Sequence, residues 1–148
     1  MKEELEIFID GASSGNPGEA SVGVVINQDH KRVKEISQSI GHATNNVAEY
    51  QALIFALKEA HALRAQRLKI FTDSELLFSQ VTGRYKVKNE NLKLLFDEAQ
   101  ELAKKFEEIK IDHIPREQNT EADRLANQAL KKQVKMVAST SIAFKPMK

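Results

Sequence analysis

Four carboxylates stand where predicted secondary structure elements begin or end, and together they suggest metal-dependent chemistry. They are Asp10, Glu49, Asp73 and Asp123. Two follow short apolar segments that alternate like strands, and two lie in the first turns of predicted helices. Carboxylates that converge raise one another's pKa unless a cation neutralises them. An all-oxygen site suits Mg²⁺ or Mn²⁺, and two such ions support phosphodiester hydrolysis.

Each acid also has an ordinary structural interpretation, which spacing alone leaves open. Asp10 suits a turn after a strand, and Glu49 suits the positive end of a helix dipole. Asp73 suits a helix cap, and Asp123 completes a capping box with Thr120. Whether the four acids form one site therefore depends on how the secondary structure elements that carry them pack together.

The predicted element order is β-β-β-α-β-α-α-β-α. The predicted strands are residues 5–10, 20–27, 31–40, 68–73 and 109–114, and the predicted helices are residues 47–65, 74–82, 91–106 and 120–132. Short turns join the first three strands into an antiparallel meander, whereas a crossover helix before the fourth implies a parallel pair. We therefore predict an α/β fold with a mixed five-stranded sheet flanked by helices. If the first and fourth strands are parallel neighbours, Asp10 and Asp73 lie side by side at one sheet edge.

Composition bounds the class of protein. The chain has 148 residues, 41% hydrophobic and 29% charged, which predicts a soluble protein with a buried core. No apolar run has the length of a membrane span, and the N-terminus lacks the apolar core of a signal peptide. The absence of Cys excludes disulfides and thiolate metal sites and favours a cytoplasmic location. We expect a monomer with no membrane partner.

Charge and pattern divide the chain into a main domain and a tail. Net charge is +1, so any binding to a polyanion must come from local patches or metal ions. Residues 1–132 form the predicted domain. Residues 133–148 form a basic C-terminal tail, and from Lys131 onward the chain has five Lys and no acid. The sequence leaves open whether this tail adds a strand or is mobile.

Four short motifs carry the acids in order along the chain. They are IDG followed by GNPG, TNN followed by the Glu of position 49, TDS, and EADRLA, within residues 7–18, 41–53, 68–81 and 119–129. Together they resemble ribonuclease H, type 1, and the resemblance covers residues 4–130. It implies the ribonuclease H-like fold and cleavage of the RNA strand of RNA–DNA hybrids with two Mg²⁺ ions. The four acids would be the catalytic metal ligands, with Asp10 bridging both ions.

The resemblance also implies a substrate groove. Its candidate substrate-binding residues are Gly11, Ser14, Asn16, Thr44, Asn45 and Asn46. Backbone amides at glycines and Asn side chains suit the RNA 2′-hydroxyl, which both donates and accepts. Thr44 matches a family position that contacts a DNA phosphate. Asn45 and Asn46 also suit plain helix capping.

Two departures from the family pattern affect the expected mechanism. Many members carry a His in a flexible loop before the last Asp, but residues 115–119 form a short loop here. His113 precedes it, and a structural role is expected. Arg116 is the candidate replacement, because it binds phosphate although it cannot act as a base. Residues 83–88 supply three cations and no Trp, which resembles the compact form without the basic protrusion.

Two classes of alternative function remain open in the sequence. The same fold and acids can serve cleavage of double-stranded RNA, or DNA junction and strand-transfer chemistry. A non-catalytic hybrid-binding module is the alternative outside the enzymes. Retention of all four acids argues against that module.

Overall fold

A five-stranded mixed sheet forms the centre of the molecule. The structure is a computed structural model that describes residues 4–143, with side chains described for residues 4–132. The strands are β1 (Glu4–Ser13), β2 (Gly18–Gln28), β3 (Lys31–Ala43), β4 (Arg67–Thr72) and β5 (Glu108–His113). Their order is β3-β2-β1-β4-β5, with β1–β3 antiparallel and β4 and β5 parallel to β1. This topology confirms the predicted fold class.

Helices cover both faces of the sheet. They are α1 (Asn45–Ala62), α2 (Glu75–Val81), α3 (Glu90–Ala103) and α4 (Thr120–Ala143), and a 3₁₀ turn, Arg116–Gln118, precedes α4. Side chains of Thr44, Ser74 and Asn89 cap α1, α2 and α3 by accepting from backbone amides of the first turn. Thr44 therefore performs the capping that the sequence also offered to Asn45 and Asn46.

Alternation along β1 assigns its residues to the two faces. Ile7 and Ile9 are fully buried on the face that carries α1. Asp10 points to the other face, where its partner on β2, Gly23, lies against α4. Buried side chains occur all around α1, because the sheet packs on one side of it and α3 on the other. Burial of this apolar surface is the main term that stabilises the domain.

Contacts to β2 and β3 fix α4 on the sheet. A Cβ at Gly23 would lie 2.1 Å from the Ala122 carbonyl oxygen, so only Gly allows this approach. Hydroxyls of Ser21, Ser37 and Ser39 donate to the backbone carbonyls of Ala126, Leu125 and Ala129, respectively. These contacts determine the distance between the first turn of α4 and β1.

The structure differs from the predicted elements at two places that matter. β1 does not end at Asp10 but continues to Ser13, because residues 10–13 still pair with β2. α4 does not end at residue 132 but continues to Ala143, since neither Gly nor Pro interrupts residues 120–143. Residues 133–143 therefore continue the helix, and residues 144–148 lie outside the described residues. Among the described residues, no helix is long and apolar enough to cross a membrane.

Candidate active site

The parallel pairing of β1 and β4 places Asp10 beside Asp73. Ile9 and Thr72 are the last paired residues of the two strands, and each acid follows its strand's last pair directly. β4 ends there, and Ser74 rather than Asp73 caps the next helix. Asp73 is thus free of the capping role that the sequence allowed.

Glu49 reaches the same place from α1. It lies in the second turn of that helix, beyond the first turn in which the sequence placed it. Its Oε1 accepts from the Gly11 backbone amide at 3.0 Å. A Cβ at Gly11 would lie 2.3 Å from the Ala48 carbonyl carbon, so the glycine allows α1 to approach β1 this closely. Oxygen atoms of Asp10, Glu49 and Asp73 lie within 4.8 Å of one another.

Asp123 and Arg116 complete the cluster from the other side of the sheet. Asp123 lies in the first turn of α4 and faces Asp10 closely enough to raise the Asp10 pKa. Arg116 lies in the 3₁₀ turn, with Nη2 4.0 Å from Asp123 Oδ1. Its side chain is 81% exposed, so solvent weakens this ion pair. No hydrogen bond joins Asp123 to Thr120 among the described side chains, so the capping box that the sequence left open is not formed.

Two acids of the cluster, Asp10 and Glu49, have strongly raised pKa values. Burial, followed by the charges of Glu49 and Asp73, raises the pKa of Asp10 to about 9. Burial, followed by the charge of Asp73, raises the pKa of Glu49 to about 8. The Gly11 amide and Arg116 oppose the shift at Glu49. Without a cation, ionisation of these two carboxyl groups is therefore unfavourable, because the protein alone compensates their negative charge poorly.

Asn119 positions two of the elements that carry acids. It is 1% exposed and lies between the 3₁₀ turn and α4. Its Nδ2 donates to the Ile9 carbonyl at 2.8 Å and to Asp73 Oδ2 at 3.2 Å. Its Oδ1 is buried without a hydrogen-bond partner among the described residues. The Asn119 side chain thus connects the ends of β1 and β4 directly before α4 begins.

The His113 side chain contacts the backbone of Asp73. His113 pairs with Thr72 at the end of β5, and its Nε2 lies 3.3 Å from the Asp73 carbonyl oxygen. Its ring stacks on the Phe78 ring, and the Arg84 guanidinium also lies over the Phe78 ring. His113 therefore supports the backbone at Asp73.

A polar cavity of about 430 Å³ opens above the acids. Its lining residues are Asp10, Gly11, Ala12, Ser13, Asn45, Glu49, Asp73, Arg116, Asp123, Asn127 and Leu130. All four predicted acids and Arg116 thus face one space. Five different elements contribute to it, namely β1, α1, the segment after β4, the 3₁₀ turn and α4.

Five of the six predicted substrate-binding residues divide between two cavities. Gly11 and Asn45 line the acidic cavity, although the Gly11 amide already donates to Glu49. Asn16, Thr44 and Asn46 line a second polar cavity of about 200 Å³ on the other side of the α1 N-terminus. Its remaining lining residues are Val47, Asn89, Asn91 and Leu92. Asn16 Oδ1 accepts from the Asn45 amide at 3.1 Å and so connects the two cavities.

Ser14 lines neither of these cavities, because it lies on the exposed loop between β1 and β2. Ser13 lines the acidic cavity instead, because β1 continues past Asp10. Its hydroxyl donates to the Ala43 carbonyl at 2.9 Å, which holds the end of β1 against the end of β3.

Sequence reasoning missed four residues that shape the site, namely Ser13, Gly23, Asn119 and Asn127. Two of them, Gly23 and Asn127, could have been identified from their sequence context. A lone Gly inside a Val-rich strand indicates a close backbone approach, and Asn127 lies one helical turn beyond Asp123. The burial of Asn119 had no signal, because it depends on the path of the chain into α4.

Comparisons with known proteins agree with this geometry. A family model described as reverse transcriptase-like matches residues 8–129. The bifunctional protein Rv2228c of Mycobacterium tuberculosis is 46% identical over 129 residues, which is 86% of this chain. The chain spans only 35% of the length of that curated relative.

Solved structures match over most of their own length. RNase H1 from the halophilic archaeon Halobacterium salinarum superimposes with a TM-score of 0.85 and 41% identity, over 87% of this chain and 98% of that one. LC11-RNase H1, solved in complex with an RNA/DNA hybrid, gives a TM-score of 0.84 and 38% identity. That match covers 88% of this chain and 99% of the other.

Proposed function

Since this chain belongs to the reverse transcriptase-like family of ribonuclease H domains, we propose that it hydrolyses the RNA strand of RNA–DNA hybrids. The observation that carries this proposal is the convergence of Asp10, Glu49 and Asp73 within 4.8 Å, with Asp123 facing them. The hybrid bound by the similar LC11-RNase H1 supports the choice of substrate.

The donor set fits a site for hard divalent cations. All four side chains offer carboxylate oxygens, and buried like charges keep the pKa of Asp10 and Glu49 raised when no cation compensates them. Asp10, Glu49, Asp73 and Asp123 would hold two Mg²⁺ or Mn²⁺ ions. Ions bound there would polarise the scissile phosphate and lower the pKa of an attacking water.

The protein's own groups orient the reaction. Asn119 holds the Asp73 carboxylate, and the Gly11 amide holds Glu49, so two ligands are oriented before substrate arrives. Arg116 lines the cavity with an exposed guanidinium beside Asp123. In this proposal Arg116 binds a phosphate of the RNA strand during turnover, because its planar fork matches phosphate oxygens.

Substrate recognition would use both polar cavities. Asn45 lies beside the acids, where its amide suits an RNA 2′-hydroxyl. Asn16, Thr44 and Asn46 line the second cavity at the α1 N-terminus, where Thr44 would contact a phosphate of the DNA strand and the two Asn amides would contact RNA 2′-hydroxyls. Gly11 contributes by its shape, because its amide is used by Glu49. Ser14 would contact the hybrid from the exposed loop.

A cleavage assay on matched duplexes tests the proposal. The full chain is incubated with hybrid, all-RNA and all-DNA duplexes of one sequence, in Mg²⁺, in Mn²⁺ and in EDTA. We expect metal-dependent cleavage of the RNA strand of the hybrid only. Asp10→Asn should abolish cleavage and keep the fold, as checked by circular dichroism, because it removes a ligand with little change in shape.

Other outcomes would identify the alternatives. Cleavage of the all-RNA duplex would extend the activity to double-stranded RNA, and cleavage of DNA would point to junction or strand-transfer chemistry. Hybrid binding without cleavage in either metal would favour a non-catalytic module. Near wild-type cleavage by Asp10→Asn would refute the mechanism. The monomeric state, the cytoplasmic location and the separation of residues 133–148 as a tail remain predictions.

A further inference from the structure

The acidic cavity extends beyond the acids along α4. Asp123 and Asn127 are four residues apart and both line the cavity, and Leu130 lines it one turn further on. At 1.5 Å per residue, Asn127 lies about 6 Å along the helix from Asp123. The cavity therefore continues past the acids for a distance comparable with one nucleotide.

The strand below follows the same direction. Asp10 and Ala12 lie on the same face of β1, two residues apart, and both line the cavity. Ser21, the β2 partner of Ala12, donates its hydroxyl to the Ala126 carbonyl, so α4 crosses β2 at the level of Ala12. Asn127 is the next residue of the helix. Ala12 thus forms a shallow floor beside it.

Asn45 lines the same cavity from α1. The backbone amide of Asn45 is held by Asn16, and Ser13 connects the end of β1 to Ala43, just before α1. The extension therefore has a fixed wall on the α1 side, and α4 supplies the other wall with Asn127.

The chemistry of this extension is neutral and polar. Arg116 is the only cation among the residues that line the cavity in the described part of the chain, and it lies at the acid end beside Asp123. Asn127 is exposed, and its side chain makes no hydrogen bond within the described residues. An Asn amide both donates and accepts, as a ribose 2′-hydroxyl does, whereas a phosphate favours a cation.

We propose that Asn127 is a further substrate-binding residue, which hydrogen-bonds the 2′-hydroxyl of the RNA nucleotide adjacent to the scissile phosphate from the α4 wall of the cavity. This inference rests on the proposed hybrid cleavage and deepens it. It makes α4 a source of RNA recognition as well as of the ligand Asp123.

Steady-state kinetics of Asn127→Ala and Gln128→Ala test the assignment. Gln128 is the next residue, also an exposed amide, and does not line the cavity, so it controls for any general effect on α4. Loss of one hydrogen bond should raise KM for the hybrid about fivefold in Asn127→Ala, with kcat changed less than twofold. Gln128→Ala should match the wild type, and all three proteins should melt at the same temperature.

A second measurement identifies the contacted group. Hybrids that carry a single 2′-deoxy substitution at each position near one cleavage site are compared between wild type and Asn127→Ala. We expect one adjacent position where the substitution weakens cleavage by the wild type but not by the variant. Equal penalties for both proteins at every position, or equal KM values for Asn127→Ala and wild type, would overturn the assignment.

The proposed function fails separately from this inference. A wild-type protein that leaves the hybrid intact would refute both. Wild-type cleavage together with a KM for Gln128→Ala that rises as much as that of Asn127→Ala would refute only the role of Asn127.

Discussion

Asn119 Nδ2 lies 3.2 Å from Asp73 Oδ2 and donates to it from a side chain that is 1% exposed. The same nitrogen donates to the Ile9 carbonyl at 2.8 Å, one residue before Asp10. One buried amide therefore fixes the spacing between two acids that would otherwise repel each other. Hydrogen bonds of this kind stabilise the positions of the acids most where water is excluded.

Replacing Asn119 should impair catalysis and stability together. Asn119→Ala leaves the Ile9 carbonyl without its donor, which should cost about 1–3 kcal/mol in the free energy of unfolding. Asn119→Asp places another carboxylate against Asp73 and should reduce kcat/KM further, at least tenfold below wild type. Gln118→Ala, an exposed amide next in the chain, is the control and should change neither quantity. Denaturant unfolding measures the change in stability, and cleavage kinetics measure kcat/KM. A wild-type kcat/KM in Asn119→Asp would contradict the role of Asn119 in the site.

Arg116→Ala should lower turnover without affecting metal binding. Arg116 contacts Asp123 only at 4.0 Å and is largely exposed, so the fold does not depend on it. We expect kcat to fall about tenfold, the loss of one charged hydrogen bond to phosphate, while the Mg²⁺ concentration for half-maximal activity stays within twofold. Arg124→Ala is the matched control, because Arg124 pairs with Glu121 and Glu35 away from the cavity. Equal kcat values for the two variants would contradict the role.

Gly23→Ala should displace α4 from the sheet. The new Cβ would lie 2.1 Å from the Ala122 carbonyl oxygen and 2.6 Å from the Ala126 amide nitrogen. Because backbone cannot yield locally, the helix must move and carry Asp123 with it. We expect a loss of about 1–3 kcal/mol in unfolding free energy and a marked loss of cleavage. Gly41→Asn, at a left-handed position with open space around it, should stay within about 1 kcal/mol of wild type. Unchanged stability and activity in Gly23→Ala would refute the close packing.

The metal-free protein should lose stability as pH rises. The pKa of Asp10 rises from 3.8 to about 9 on folding, and that of Glu49 from 4.5 to about 8. At pH values between the unfolded-state and the folded-state pKa of each group, the folded state binds more protons than the unfolded state. The free energy of unfolding therefore falls with increasing pH. Unfolding by urea in EDTA at pH 5, 7 and 9 measures this trend.

Two controls make the pH prediction specific. Saturating Mg²⁺ should restore stability at pH 9, because ligand binding to the folded state opposes the loss. Asp10→Asn should weaken the pH dependence in EDTA, because it removes one of the two buried charges. A metal-free protein whose stability is constant or rises from pH 5 to 9 would contradict the electrostatic description of the site.

Sequence pattern predicted most of the fold because alternation and helical periodicity record which faces are buried. Connection rules predicted an antiparallel meander of the first three strands and a parallel crossover before the fourth. The full order β3-β2-β1-β4-β5 came from the structure. Errors occurred at element ends. β1 continues past Asp10 because β2 supplies partners for residues 10–13, and no residue of β1 itself records that pairing.

The four acids and Arg116 were chosen from the sequence, and all five line one cavity. The types and spacing of the four acids suggested a cation site, because chemistry limits which residues can hold hard cations. The resemblance to ribonuclease H then selected the four acids and pointed to Arg116. Asn119 and Gly23 were not selected, because an Asn before a helix and a Gly in a strand have many uses. Only their burial against Asp73 and α4 distinguishes them.

The sequence by itself determined the element order and the mixed sheet, which follow from local periodicity and connection rules. It also indicated the carboxylates, through residue chemistry and the four motifs that resemble ribonuclease H. Tertiary structure alone decided how the acids are held at a common point. That spacing depends on contacts between distant segments, such as Gly11 with Glu49 and Asn119 with Asp73, and on the height of α4 above Gly23. Such contacts form only when distant segments of the chain pack together, so the residues that make them show no local sequence pattern.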